Sequence, residues 1–223
     1  MRAMHERLLE EVLAERERMT TRRNLMVGGG KLAFGGMLAA AMIGSPALRS
    51  TGVTAQDVMS DFADDVDVLN FALTLEHLEF AFYRDGLGQF TFGTGPFNED
   101  TDMLLGLVRD HEGIHVDTLT EVIGSLGGTP VAEATYDFGY TDAQSFLLTA
   151  AALENTGVRA YDGAASSISD PGLLTAAGTI VAVEARHASY LNLLTGESPF
   201  PSAFETPATR DEVLAIAGPF IVS

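Results

Sequence analysis

Cysteine is absent from all 223 residues of the chain. This absence excludes disulfides, iron–sulfur clusters, a lipidated cysteine and zinc sites built on thiolates, although it does not identify the compartment. Any metal ion that the chain binds must therefore be held by carboxylate and imidazole groups. Such ligands suit iron, manganese or zinc.

Basic residues are scarce after residue 55, and lysine is absent there, because the single lysine is Lys31. Residues 1–55 carry eight Lys/Arg and five Asp/Glu, whereas residues 56–223 carry five arginines and 26 acidic residues. The resulting net charge of about −21 argues against nucleic acid and anionic membrane surfaces as partners, because both require basic patches. Strong acidity without lysine resembles the composition of proteins from salt-loving microorganisms, so we expect a halophilic protein.

The N-terminal segment resembles a twin-arginine export signal. Paired arginines within residues 21–26 (TRRNLM) precede an apolar stretch rich in Gly and Ala at about 32–48. Small residues place a cleavage point after Ala55, so residues 1–55 are predicted to be the signal and residues 56–223 the mature domain. We expect export by the twin-arginine machinery to the cell surface, the extracellular space or a periplasm-like space. An uncleaved membrane anchor is the alternative, because the stretch is near the lower length limit for spanning.

The mature part is predicted to be all-α. Apolar residues at three- and four-residue spacing, together with helix start and stop signals, predict four helices. They cover about residues 64–85, 99–126, 141–166 and 169–194, and a short last helix is expected at 210–217. Short connections make two antiparallel hairpins, which a longer crossover joins. This arrangement is that of a four-helix bundle with one long crossover.

Two Glu-x-x-His motifs dominate the sequence. Each motif follows a Leu-Glu pair that has a tyrosine seven residues beyond its glutamate. The order Glu, Glu-x-x-His, Glu, Glu-x-x-His is the ligand order with which four-helix bundles hold two metal ions. The predicted metal ligands are Glu76, Glu112, His115, Glu154, Glu184 and His187.

The spacing assigns different tasks to these ligands. Residues three apart on a helix point at the same neighbour. Each histidine would therefore bind one metal ion terminally, while the glutamate of the same motif bridges both ions. Glu76 and Glu154 would each chelate one metal ion from the opposing hairpin. The set predicts two ions of iron or manganese, with zinc as a third option, and leaves positions for dioxygen, peroxide or water.

The chain repeats itself around this site. A shift of 78 residues aligns the two Leu-Glu pairs, and a shift of 72 aligns the two Glu-x-x-His motifs. Two hairpins related by a pseudo-twofold axis are therefore expected. The repeat favours Glu76 over Glu79 as a ligand, because Glu76 aligns with Glu154 whereas Glu79 aligns with Gly157. Glu79 is then either a partner of the ligands or an extra ligand.

Two tyrosines and two further histidines lie near the motifs. Tyr83 and Tyr161 follow the Leu-Glu glutamates by two helical turns, so they would either donate hydrogen bonds to metal-bound carboxylates or be ordinary core residues. His77 and His111 fall off the ligand face in this register. Surface positions are expected for both.

These residues and motifs resemble the ferritin-like superfamily, and more closely a branch of exported ferritin-like domain proteins that includes plant desiccation-related proteins. The resemblance covers about residues 64–196 and includes residues 69–76 (LNFALTLE), 126–130 (LGGTP) and 183–187 (VEARH). It implies a ferritin-like bundle and di-iron or di-manganese chemistry of the ferroxidase, peroxidase, catalase or oxygenase kind. The chain lacks the cysteine-ligated iron centre of rubrerythrins.

Two classes of function remain open at this point. The first is an exported di-metal oxidoreductase that reacts with dioxygen or peroxide. The second is a non-catalytic, stress- or desiccation-related structural protein whose metal site is stabilising or vestigial. A homodimer is compatible with the helical faces and the Phe-rich tail, but no pattern requires one.

The acidic composition generates a prediction about salt. Added salt shortens the Debye length from about 10 Å at 0.1 M to about 3 Å at 1 M and so weakens repulsion among carboxylates. We expect the unfolding temperature to rise over this range of KCl, whereas sucrose at matched osmolality, which screens no charge, should raise it less. A protein that is fully folded and soluble without added salt would contradict the halophilic assignment.

Overall fold

The computed structural model describes residues 62–222, so the predicted export segment and its cleavage point lie outside the described residues. Within residues 62–222 the secondary structure is helical, without strands. None of these helices combines the length and the apolar character needed to cross a membrane. The α-helices are α1 (Asp65–Gly86), α2 (Thr101–Ser125), α3 (Ala143–Ala164), α4 (Pro171–Thr195) and α5 (Arg210–Ala217). The predicted all-α class is confirmed, and each predicted helix lies within about two residues of its observed bounds.

Each of the four long helices begins at an aspartate that caps its N-terminus. The side chains of Asp64, Asp100, Asp142 and Asp170 accept hydrogen bonds from backbone amides of the first turn. Such caps satisfy amides that would otherwise have no partner, and their negative charge complements the helix dipole. At the other end of α4, Gly196 adopts a left-handed conformation with φ 85° and ends the helix.

The helices pack as two hairpins, α1 with α2 and α3 with α4, and α1 also contacts α3. Two apolar clusters fill the interior, one towards each end of the bundle. One is rich in aromatic side chains and includes Phe82 and Phe146, whose ring centroids lie 4.4 Å apart. The other includes Leu69 and Leu73, which precede Glu76 in α1. The middle of the bundle, between the two clusters, is where the motif residues lie.

The segment after α4 folds back onto the bundle. The amide of Ala208 donates a 3.0 Å hydrogen bond to the carbonyl oxygen of Arg159 in α3. Further along, the amide of Asp137 in the crossover donates to Phe220, and the amide of Val222 donates to Thr135, both at 2.9 Å. The tail therefore ties the crossover to the second hairpin.

A glycine in α3 makes this close approach feasible. A Cβ at Gly163 would overlap the backbone carbonyl of Ala208, whereas a Cβ at Gly178 in α4 would meet nothing within 4 Å. We expect Gly163→Ala to lower the free energy of unfolding by about 1–3 kcal/mol, as overpacking does. The control Gly178→Ala should raise it by about 0.5–1 kcal/mol, because alanine is favoured in helices. Denaturant unfolding measures both, and a Gly163→Ala protein as stable as wild type would contradict the packing.

Candidate metal centre

The structure brings the six predicted ligand residues together in the middle of the bundle. They lie on the inward faces of four different helices, where apolar residues recur at three- and four-residue spacing above and below them. All four glutamates are 0% exposed, and the two histidines are 8% and 5% exposed. Helix α1 supplies Glu76, α2 supplies Glu112 and His115, α3 supplies Glu154, and α4 supplies Glu184 and His187.

The six residues form two overlapping groups, each of which could hold a metal ion. In each group the candidate ligand atoms lie within 4.8 Å of one another. Glu112 and Glu184, the glutamates of the two motifs, belong to both groups. One group is completed by Glu76 and His115, the other by Glu154 and His187. This division is compatible with terminal histidines and bridging glutamates, and the ligand roles themselves stay a prediction.

The pairing of the terminal glutamates differs from the sequence-based expectation. Nδ1 of His115 lies 3.2 Å from Oε2 of Glu76, and Nδ1 of His187 lies 3.2 Å from Oε2 of Glu154. Each glutamate therefore faces the histidine of its own hairpin, and the expectation that it serves the opposing hairpin is wrong. The reason is that the two helices of a hairpin lie side by side, so their inward-facing carboxylate and imidazole meet at the same height.

The two tyrosines link the hairpins instead. The hydroxyl of Tyr83 donates a 2.7 Å hydrogen bond to Oε1 of Glu154, and the hydroxyl of Tyr161 donates to Oε1 of Glu76 at 2.5 Å. Burial and the adjacent carboxylates raise the pKa of both tyrosines well above 10, so they remain donors. Each terminal glutamate thus has one oxygen held by a tyrosine and the other beside a histidine.

The two shared glutamates lack sufficient hydrogen-bond partners. Burial and then the charge of Glu154 raise the pKa of Glu112 to about 7, and burial and then Glu76 raise that of Glu184 well above 4.5. Oε1 of Glu112 and both oxygens of Glu184 are buried without a hydrogen bond. Histidine Nδ1 atoms do lie 2.9 Å from Glu112 Oε1 and 3.0 Å from Glu184 Oε1, but each Nδ1 carries at most one proton and also lies within about 3.2 Å of another carboxylate. Unpaired buried carboxylate oxygens beside inward-facing imidazole nitrogens fit a metal ion.

The histidines are strongly basic while no metal is bound. Burial alone would lower their pKa, but contacts with the surrounding carboxylates outweigh it and raise the pKa of His115 to about 12 and that of His187 to about 9. A metal ion must displace these protons, because only the neutral imidazole binds metal. Metal binding at this site will therefore depend on pH.

Three further residues show where the sequence-based expectations were incomplete. Glu79 is 3% exposed and lies beside Gly157, close to the ligand carboxylates. His111 is exposed, as expected, yet its Nδ1 lies 2.9 Å from Nε2 of His187. Its spacing of four residues before a predicted ligand on the same helix was the available signal. His77 is half-buried rather than at the surface, and its Nε2 lies 3.2 Å from the carbonyl oxygen of Val131, outside the site.

A cavity of about 280 Å³ lies between α2 and α4, beside the two histidines. Because the histidines retain some exposure and the four glutamates none, this side is where the centre comes nearest to solvent. The cavity therefore offers a small molecule an approach to the two histidines. Its lining residues are His111, Ile114, His115, Val183, Arg186 and His187.

Four helices around paired carboxylate and histidine groups define a ferritin-like class of bundle. The sequence pattern of the ferritin-like domain matches residues 64–197, so the chain belongs to the ferritin-like domain family. The crystal structure of a conserved hypothetical protein, rv2844, from Mycobacterium tuberculosis is similar, with a TM-score of 0.50 and 21% identity over 61% of this chain and 94% of that one. At this identity the similarity shows the fold alone. No curated protein matches the sequence.

The buried titratable groups generate a prediction for the metal-free protein. The pKa of Glu112 is raised from 4.5 to about 7 in the folded state, so the folded state loses stability as pH rises through this range. The pKa of His187 is also raised, from 6.5 to about 9. Its protonated form therefore stabilises the folded state below pH 6.5, and this stabilisation is lost as pH rises through about 9. Both effects have the same sign. The unfolding temperature of chelator-treated protein should therefore fall from about pH 4.5 to about pH 9.

Two matched variants distinguish the effect of the buried centre on the pH dependence of stability from the effect of the acidic surface. Glu112→Gln should flatten the pH dependence between about 4.5 and 7, whereas Glu121→Gln, on an exposed position of the same helix, should leave it unchanged. Bound metal should reverse the trend, because it requires deprotonated ligands. A metal-free protein whose stability increases over this range would contradict the assigned electrostatics.

Proposed function

We propose that the chain is an exported ferritin-like protein that binds a carboxylate-bridged centre of two iron or manganese ions with histidine ligands and reacts with dioxygen or peroxide. The observation that carries the proposal is the pair of buried groups that share Glu112 and Glu184. Two glutamates common to both groups are what a bridged pair of ions requires. A single structural metal ion would need only one of the groups.

The bound ions would supply electron transfer and polarisation of an oxygen ligand. The protein's own part is to hold the ions and orient their ligands. Glu112 and Glu184, which belong to both groups, would hold both ions, and His115 and His187 would each hold one through Nδ1. Six ligand residues for two ions leave room for a small molecule, and the cavity between α2 and α4 supports approach from the histidine side.

Tyr83 and Tyr161 fix the terminal glutamates. Each hydroxyl binds one oxygen of the carboxylate that belongs to the other hairpin, which restricts that carboxylate's rotation. Because their pKa lies well above 10, the tyrosines keep their protons at neutral pH. In this proposal they are positioning residues that tune the terminal ligands, as outer hydrogen-bond partners of metal sites do.

The proposal includes export by the twin-arginine route to the cell surface, the extracellular space or a periplasm-like space. It is supported by the paired arginines and apolar stretch of residues 21–48. A route that carries folded proteins suits a chain that takes up its metal ions before it leaves the cytoplasm. The lysine-free acidic composition after residue 55 supports an environment of high salt.

Metal content tests the centre. We expect about two iron or manganese ions per chain in protein purified without chelators, and His115→Ala should lower this ratio to about one, because one group loses its terminal imidazole. His77→Ala is the matched control, since His77 lies outside both groups, and it should retain the wild-type ratio. An unchanged ratio in His115→Ala would overturn the ligand assignment.

Reactivity is tested separately on the metal-loaded protein. Disproportionation of peroxide by the ferrous or manganous form, or consumption of dioxygen with excess ferrous ion supplied as the reductant, should occur with multiple turnovers and should be lost in His115→Ala but not in His77→Ala. Two bound metal ions without any consumption of either oxidant would support the structural, stress-related function instead.

A further inference from the structure

The pseudo-twofold repeat of the centre is broken beside the histidines. The 72-residue shift that aligns the two motifs also aligns His111 with Val183. His187 therefore has a ring nitrogen, Nδ1 of His111, at 2.9 Å from its outer Nε2. The residue in the equivalent place for His115 is Val183, which offers no polar atom. Both residues line the same cavity between α2 and α4.

The repeat is broken a second time among the carboxylates. The 78-residue shift aligns Glu79 with Gly157. A Cβ at Gly157 would lie 3.0 Å from Oε1 of Glu79 and 3.5 Å from Oε2 of Glu184, so the missing side chain leaves room for the extra carboxylate. The side chain of Glu79, which α1 supplies, therefore reaches across to α3, the helix that carries Glu154.

Both departures lie beside parts of one group, since His111 contacts His187 and Glu79 lies against the helix that supplies Glu154. If Nδ1 of His187 holds a metal ion, the ring proton lies on Nε2, which then donates a hydrogen bond to Nδ1 of His111. Such a partner fixes the orientation of the ring and increases its basicity as a ligand. A further carboxylate increases the negative charge around the bound cation. The group of Glu76 and His115 has no such histidine, because Val183 occupies the equivalent position.

We infer that the two metal positions are unequal, and that the Glu154–His187 position binds its ion more tightly because His111 positions its histidine and the carboxylate of Glu79 lies against the helix that supplies Glu154. The inference rests on the proposed metal centre and deepens it. The tighter position fills first, and the Glu76–His115 position is the one that exchanges its ion. Val183 is what keeps the second position weak on the histidine side.

Titration of the metal-free protein with Mn²⁺ alone measures the inequality, because the electron paramagnetic resonance signal of aqueous Mn²⁺ counts the unbound ion. Wild-type protein should show two affinities at least about 10-fold apart, the effect expected of outer partners of metal ligands. His115→Ala should retain the tighter position and His187→Ala the weaker one. Equal affinities in wild type, or the opposite order in these two variants, would overturn the inference.

Exchange of the partner residues tests the cause. His111→Phe should weaken the tighter position about 10- to 100-fold and leave the weaker one unchanged, and His111→Gln, which keeps a hydrogen-bond acceptor, should restore part of the loss. Val183→His should strengthen the weaker position, a gain that general damage to the fold cannot produce. Val183→Ala is its control and should change neither affinity.

Glu79→Gln tests the carboxylate with little change in shape. It should weaken the tighter position by at least about 10-fold, comparable to the loss of an outer partner. The unfolding temperature of each metal-free variant reports whether the fold is retained. Loss at both positions equally, or at neither, in His111→Phe and Glu79→Gln would overturn the assigned roles.

The outcomes distinguish this inference from the proposed function. Absence of any metal binding would overturn both. Two ions of equal affinity that still react with dioxygen or peroxide would overturn only the inequality. Two ions of unequal affinity without oxidant consumption would overturn only the proposed reactivity.

Discussion

Buried negative charge at the centre of the bundle is the constraint on which the rest of the structure depends. Four glutamates have no exposure to solvent, and a fifth, Glu79, has almost none. An ionised carboxylate in an apolar interior costs several kcal/mol unless it is paired. Two histidines supply at most two positive charges for five carboxyl groups. The folded state therefore requires that some of the carboxyl groups stay protonated or that a cation lies between them.

The surrounding fold keeps these groups from separating. Apolar clusters on both sides of the centre hold the four helices together, and the aspartate caps fix where each helix begins. Tyr83 and Tyr161 then tie each hairpin to a carboxylate of the other. Because burial and the adjacent charges keep these hydroxyls protonated, the links persist as long as the core does. The same packing therefore fixes where the terminal glutamates lie and keeps the tyrosine hydroxyls protonated.

The sequence predicts the helices well because local residues determine where each helix begins and ends, such as Asp142 and Pro171 at helix starts and Gly196 at a helix end. The residues of the centre are also readable, since a three-residue spacing places a glutamate and a histidine on one helix face. The sequence does not predict which hairpin supplies the histidine beside Glu76, nor that His111 contacts His187. Both depend on the rotation and relative height of packed helices, which tertiary contacts determine.

The departures from the repeat are hard to explain by the stability of the fold alone. Glycine within a helix costs about 0.5–1 kcal/mol relative to alanine, so Gly157 weakens α3. The room it leaves is filled by Glu79, whose burial beside other carboxylates adds to the repulsion and raises its pKa well above 4.5. Each change opposes folding of the metal-free chain. A cation bound between the carboxylates would reverse the sign of the second effect, because the added negative charge would then attract the cation, and the asymmetry would favour the metal-bound state alone.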